Sequence, residues 1–391
     1  MRPDRPTSLA FVFLALPGVF CVSAARADVR VELRGGASTL EAASASVEES
    51  GIRLKGVGGI EQFARWDEVR AVTGSTVPAG IDAGLQLGET LWRARTRVVR
   101  GDYEFAEPLL REVWSSLRNP QCDLGYITAE GLLRCALARG DSVSALEPWM
   151  HVAAMKAGQH APADSVFASL PPMLDPATLF SSEITPFATS ETAARAAQVL
   201  EVRAGHSTGG SSMDERFARL LRNAPKHVEP RAGASVAEQL LATLEELALA
   251  QSDRDRARLA EGFLALARNA GGGEAPRFLL AWKSMVLGRA LVGSASAESQ
   301  EMGVLELLSA AVIEGETALG RLALREAASA CRARGDVKSA QLLERLMQDD
   351  ALDAIESDAA RTPLQTTMKD TAPRVIATRD AEIDLKGNET P

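Results

Sequence analysis

The string Gly205-His206-Ser207-Thr208-Gly209 sets a serine hydroxyl among small residues with G-x-S-x-G spacing. Small neighbours permit the sharp turn that lifts a serine oxygen clear of the backbone for nucleophilic attack. A serine becomes a nucleophile at neutral pH only with a base beside it. Of His151, His160, His206 and His227, only His227 follows Ser207, twenty residues on. The four form no H-x-x-x-H or H-E-x-x-H pattern, and no C-x-x-C pair accompanies them, so no metal and no cofactor are expected. Arg93, Arg97 and Arg100 recur on one helix face, as a carboxylate or phosphate clamp or as a solvated surface. The adjacent pairs Glu245-Glu246 and Asp349-Asp350 point in different directions on a helix and read as surface charge. Asp253 and Asp255 lack the glycine and distal glutamate of a calcium loop.

Around Ser207 the local string resembles the nucleophile elbow of α/β-hydrolases and lipases, which implies a strand before the serine, a helix after it, and an acid and a histidine downstream. Val199 to Val202 is the only candidate strand there. The wider pattern is helical on both sides and leaves no room for a crossover before His227. The segment therefore reads as a Gly/Ser-rich loop between helices, with no catalytic residue expected. An envelope serine hydrolase using Ser207 is the alternative.

What would hold these residues is a helical array. From residue 84 onward apolar residues follow a helical period. Arg100-Gly101-Asp102, Arg139-Gly140-Asp141 and Arg334-Gly335-Asp336 each follow an amphipathic run, and an alanine comes four residues after each aspartate: Ala106, Ala145 and Ala340. Glycine ends the first helix of a hairpin in a conformation that a β-carbon penalises. Aspartate caps the second helix, and the small alanine admits close approach. Arg-Gly-Asp is also an integrin-adhesion sequence, but three copies at helix junctions argue for turn chemistry.

Gly101-Asp102-Tyr103-Glu104-Phe105-Ala106, followed by Leu110 and Val113, resembles the tetratricopeptide repeat. The resemblance implies a first helix over 89–100 carrying Trp92 and a second over 103–117. It then implies hairpins from 126–139 with 142–155 and from 317–334 with 337–348, with Trp92, Gly101, Tyr103, Ala106, Gly140, Ala145, Gly335 and Ala340 as packing positions. The spacing from Asp102 to Asp141 is 39 residues, longer than the family's ~34, and the excess fits the turn-rich insert 119–123.

Residues 28–74 alternate with period two and carry glycine punctuation, which predicts a small antiparallel β module. Its strand and turn layout loosely resembles SH3-like or Sm-like barrels. Helical hairpins are expected over 84–157. The segment 158–190 is rich in proline yet carries Phe167, Leu170, Leu174, Phe180, Ile184 and Phe187, and reads as an ordered connector that covers core or fills a groove. A helical array follows over 191–348, with its final hairpin at 317–348. Ser212 with Glu215 and Ser235 with Glu238 fit the capping box. Residues 349–391 read as a largely disordered tail. The expected fold class is mostly α, a tetratricopeptide-like superhelix of helical hairpins behind the β module.

The 391 residues and 46% hydrophobic composition suit a globular chain of two or three domains. Arg2 and Arg5, an apolar run from Leu9 to Val22, and Ala25-Arg26-Ala27 form a secretory signal peptide over 1–27, so no stable membrane span is expected after cleavage. Cleavage takes the net charge from −9 to −11, which disfavours nucleic acid. It also leaves Cys122, Cys135 and Cys331, an odd set, with Cys122 and Cys135 too far apart along a helix for a disulfide. Abundant arginine and alanine suggest a GC-rich bacterium. The expected function is noncatalytic: an exported protein, periplasmic or extracellular, that holds a protein or peptide partner in a concave helical groove.

Overall fold

Val29 and Val31 are buried while Arg30 between them is exposed, the signature of a strand with one face on a core. The computed structural model describes residues 28–35, 38–56, 59–162, 166–206 and 212–348; the signal-peptide and tail expectations lie outside these. Strands β1 (Val29–Leu33), β2 (Thr39–Ala42), β3 (Ser44–Val47), β4 (Gly51–Lys55), β5 (Glu61–Arg65) and β6 (Val69–Gly74) build the N-terminal module. They form two antiparallel three-stranded sheets, ordered β2-β1-β6 and β3-β4-β5. Ala43 is the one residue between β2 and β3, and there the chain passes from the first sheet to the second. A 3-10 turn, Trp66–Glu68, makes the return passage from β5 to β6. Gly51 opens β4, where a β-carbon would collide with the Ala64 carbonyl of β5.

The remainder is mostly helical: α1 (Ile81–Val99), α2 (Tyr103–Ser116), α3 (Asp123–Ala138), α4 (Ser142–Ala157), α5 (Ser190–His206), α6 (Ser212–Leu221), α7 (Val236–Leu249), α8 (Asp253–Gly271), α9 (Arg277–Val292), α10 (Ala297–Glu314), α11 (Ala318–Ala333) and α12 (residues 337–348). Each of α1 to α10 packs on the helix that follows it, and α1 with α3 and α7 with α9 also touch. The core runs without a break from the β module to α12. Helix α3 is buried over its whole length from Leu124 to Leu137, as its mainly apolar circumference requires.

Helix α1 starts at Ile81, eight residues before the expected Glu89. The earlier turns carry Gly84 and Gly88, which weaken a helix in isolation and hide it from propensity. Tertiary contact decides the matter: the Trp66 ring lies against Gly84, where a β-carbon would come within 2.5 Å of the indole, and at Gly88 it would collide with the Trp66 carbonyl. The β module is seated on α1 through this pair.

Candidate functional site

The three Gly-Asp junctions share one geometry. Gly101, Gly140 and Gly335 have φ of +81°, +68° and +82°. At each, the aspartate N–H donates to a carbonyl five residues back: Asp102 to Arg97, Asp141 to Ala136 and Asp336 to Cys331, at 2.9 to 3.0 Å. This is the Schellman arrangement, in which a left-handed glycine lets two orphan carbonyls be satisfied. Ala106, Ala145 and Ala340 are all fully buried, and each N–H donates to the preceding aspartate's carbonyl. Capping differs between them. Asp141 accepts from the Ser144 N–H at 3.0 Å, and Asp336 accepts from the Ser339 N–H at 3.1 Å. Asp102 makes no side-chain cap bond. Burial opposes ionisation of Asp141, but the Ser144 hydrogen bonds outweigh it and hold the carboxyl below its usual range.

The other packing candidates are only partly buried. At Trp92 the Arg34 guanidinium of the β module lies 5.1 Å above the ring, while Leu91 next to it is fully buried. Arg34 also pairs with Glu89. Trp92 therefore joins the module to α1, and Leu91 takes the core position. Tyr103 is half-buried at the start of α2. The arginines of α1 do not converge: Arg93 pairs with Glu89 at 2.7 Å, Arg97 stacks over Phe105 at 5.5 Å, and Arg100 is exposed.

The connector occupies space between distant helices. Phe180 packs on Trp149 of α4 and on Trp282 of α9, with ring centroids 6.1 and 5.0 Å apart. Phe217 of α6 lies 4.9 Å from Trp149. The Trp149 indole N–H donates to the Leu179 carbonyl at 2.9 Å. Leu179 holds a left-handed φ of +61°, an uncommon state for a branched side chain, inside a turn closed by mutual Asp175–Phe180 and Leu179–Asp175 backbone bonds. On α3, Arg134 donates to the Pro171 carbonyl at 3.0 Å and to Glu130 at 2.9 Å, with its guanidinium 5.4 Å over Phe167. Burial, then the neighbouring Glu130, raises the Tyr126 hydroxyl pKa above its usual value.

A cleft of about 400 Å³ lies among α2, α3, α4 and α5. Trp114, Leu132 and Val199 give it apolar walls, and Glu147, Arg195 and Gln198 lie at its edge. The indole of Trp114 meets the buried His151 ring edge-on at 5.1 Å. A second cavity, of about 560 Å³, lies between the β3–β4 turn and the α1–α2 pair. There the Glu49 carboxylate accepts the backbone N–H groups of Arg118 and Asn119 at 2.6 and 2.8 Å.

Glu245 is not surface charge. It is 1% exposed, receiving Arg216 and Arg219 of α6 at 2.6 Å each. The expected pairing with Glu246 as two solvated neighbours fails because α6 crosses only one of the two faces. At α7, Ser235 caps the Glu238 N–H at 3.2 Å, while Glu238 leaves Oε1 without a partner, so half the capping box forms. Val199 to Val202 is helical, as are the backbones of Gly205 and His206 at the end of α5. Ser207, Thr208 and Gly209 lie outside the described residues. Cys122, Cys135 and Cys331 are free thiols, and burial pushes Cys135 up to about 11.

Compared with known proteins, the chain matches no family model, no curated protein and no solved structure. No helix among the described residues is long and apolar enough to cross a membrane.

Proposed function

We propose that this chain is an exported, noncatalytic helical-repeat protein that mediates protein–protein interaction or scaffolding in a bacterial envelope. The observation that carries the reading is the recurrence of one junction, with the same glycine conformation, the same backbone bonds and the same buried alanine at residues 101–106, 140–145 and 335–340. Recurrence of a packing unit is what builds an extended, laterally stacked surface, and such surfaces serve protein partners. We read the array as a tetratricopeptide-like superhelix and the β module, with its split second strand and 3-10 return, as SH3-like.

The concave-groove reading takes a narrower form. The connector fills the space between α4 and α9 with Phe180 and its own backbone, so that part of the array is committed to the chain itself. The α2–α5 cleft stays open and combines apolar walls with charged edges, the composition that suits a peptide segment. A photo-crosslinking residue at the exposed Gln198 position, in the exported protein, tests this directly. A discrete adduct with one partner, lost in the Arg195→Glu variant, supports the reading. Stoichiometric labelling of Ser207 by a fluorophosphonate probe would replace it with the hydrolase.

A further inference from the structure

Residues from the C-terminal ends of α6, α7 and α9 and from the start of α8 line a cavity of about 360 Å³. Phe187 of the connector, Leu220 and Val286 give it buried apolar walls. Trp282 meets the Phe187 ring edge-on, with centroids 6.3 Å apart, and so fixes that wall. Arg256 and Arg289 also line the cavity, and none of the described residues that line it is acidic.

Both arginines are held by carboxylates that lie outside the lining. Arg289 donates Nε and Nη2 to Glu326 of α11, and its guanidinium lies 5.3 Å over the Phe187 ring. That grip leaves Nη1 unbonded among the described residues. Arg256 is only 7% exposed and donates Nη1 to Asp253 at 2.7 Å. Asp253 is itself fixed by the Ser299 hydroxyl at 3.1 Å. The Nε–Nη2 edge of Arg256 has no acceptor among the described residues, and its Nε is buried. Two N–H groups along one edge of a guanidinium form the fork that takes a carboxylate in two parallel bonds. A buried donor without a partner is destabilising, and an arriving acceptor removes that cost.

We propose that this cavity binds a monocarboxylate carrying an apolar group, either a small free acid or the last residue of a peptide chain. The carboxylate takes the free edge of Arg256, and Arg289 adds a second positive charge to the same cavity. The apolar group lies among Phe187, Leu220 and Val286. Few polar groups set in apolar walls are the usual make-up of a small-ligand site, the polar ones fixing orientation. The cavity shares no residue with the α2–α5 cleft, so either site can fail without the other.

Titration calorimetry of the full chain with N-acetylphenylalanine and with its C-terminal amide tests this. The acid should bind one site per chain, and the amide at least about tenfold more weakly, the loss expected when a charge-assisted bond is removed. Arg256→Gln should weaken the acid at least about tenfold and bring it level with the amide. That variant strands no buried charge, because Asp253 is largely exposed. Ala290→Leu fills the cavity with both arginines in place and should weaken both ligands. Thermal melts of the two variants separate a lost site from a lost fold, and Ala290→Leu decides the matter if Arg256→Gln melts early. Phenylacetate separates the sources: tighter binding than N-acetylphenylalanine marks a free acid, and weaker binding marks a chain terminus. Equal affinity for acid and amide would overturn the proposal. So would the absence of saturable binding of both acids below about 1 mM.

Discussion

Trp66 sits against Gly88 so closely that no side chain at that position could coexist with the Trp66 carbonyl. One helical turn earlier, Gly84 gives the indole ring its seat. The G-x-x-x-G spacing is a docking surface for the β module, and everything N-terminal to α1 depends on it. A module of roughly 46 residues is marginal alone, and this contact, with the Arg34–Glu89 and Asp67–Arg95 pairs, adds to the module's own core of Val29, Val31, Ile52, Leu54 and Val69.

Gly88→Ala should therefore destabilise the protein by about 1–3 kcal/mol through overpacking against backbone that cannot step aside. Thermal denaturation checks the cost. Amide exchange in β1–β6 should accelerate more than exchange in α7–α9, because the lesion is at the module's seat.

The seat is in plain view as Gly84-x-x-x-Gly88, and the helical period is legible from residue 84, but the resemblance to the repeat family implies a first helix from Glu89, whereas α1 starts at Ile81. The hairpin junctions were legible in the residues themselves. Glycine and aspartate act locally there, through φ and backbone bonds within a few residues, so Gly101, Gly140 and Gly335 announce themselves without tertiary knowledge. Trp92 was not legible in its role, because the partner that claims it, Arg34, is 58 residues away in the turn that follows β1. Glu245 was misread similarly: whether a helical carboxylate is solvated or buried depends on which neighbour crosses it, and here Arg216 does. The apolar residues of the connector were visible, but their destination between Trp149 and Trp282 required the fold.

Ala145 is fully buried at the second junction. Ala145→Glu would place a carboxylate there with no partner, and the expected loss is at least about 3 kcal/mol. A melting temperature equal to that of the unmodified protein would remove the close-packed junction from the account.

Arg134 ties the connector to α3. Arg134→Met should cost about 3–5 kcal/mol because it strands the buried Glu130 carboxylate. The double variant with Glu130→Gln should recover much of that loss. In the single variant, amides of 166–187 should lose protection ahead of those in α9, and equal protection across both would contradict the clamp.

Asp141 carries a pH signature. Its folded pKa lies below the ordinary aspartate value of 3.8, because the Ser144 hydrogen bonds outweigh the burial that opposes ionisation. A carboxyl with a depressed folded pKa contributes stability that is present above its unfolded value and lost as pH falls through the folded one. Asp141→Ala should therefore cost about 1 kcal/mol at neutral pH. The gap between the two proteins should close as the pH drops from about 4 downward. Denaturant titrations at neutral and acid pH measure it, and a gap that widens in acid would contradict the assignment.

The central claim is that the array works by holding a protein partner. Photo-crosslinking from position 198 in the exported protein, followed by mass spectrometry of the adduct, tests it most directly. The account predicts one reproducible intermolecular adduct, with the partner's peptide linked beside the α2–α5 cleft and the yield reduced by Arg195→Glu. Crosslinks confined to this chain's own peptides, in a folded and exported protein, would contradict it.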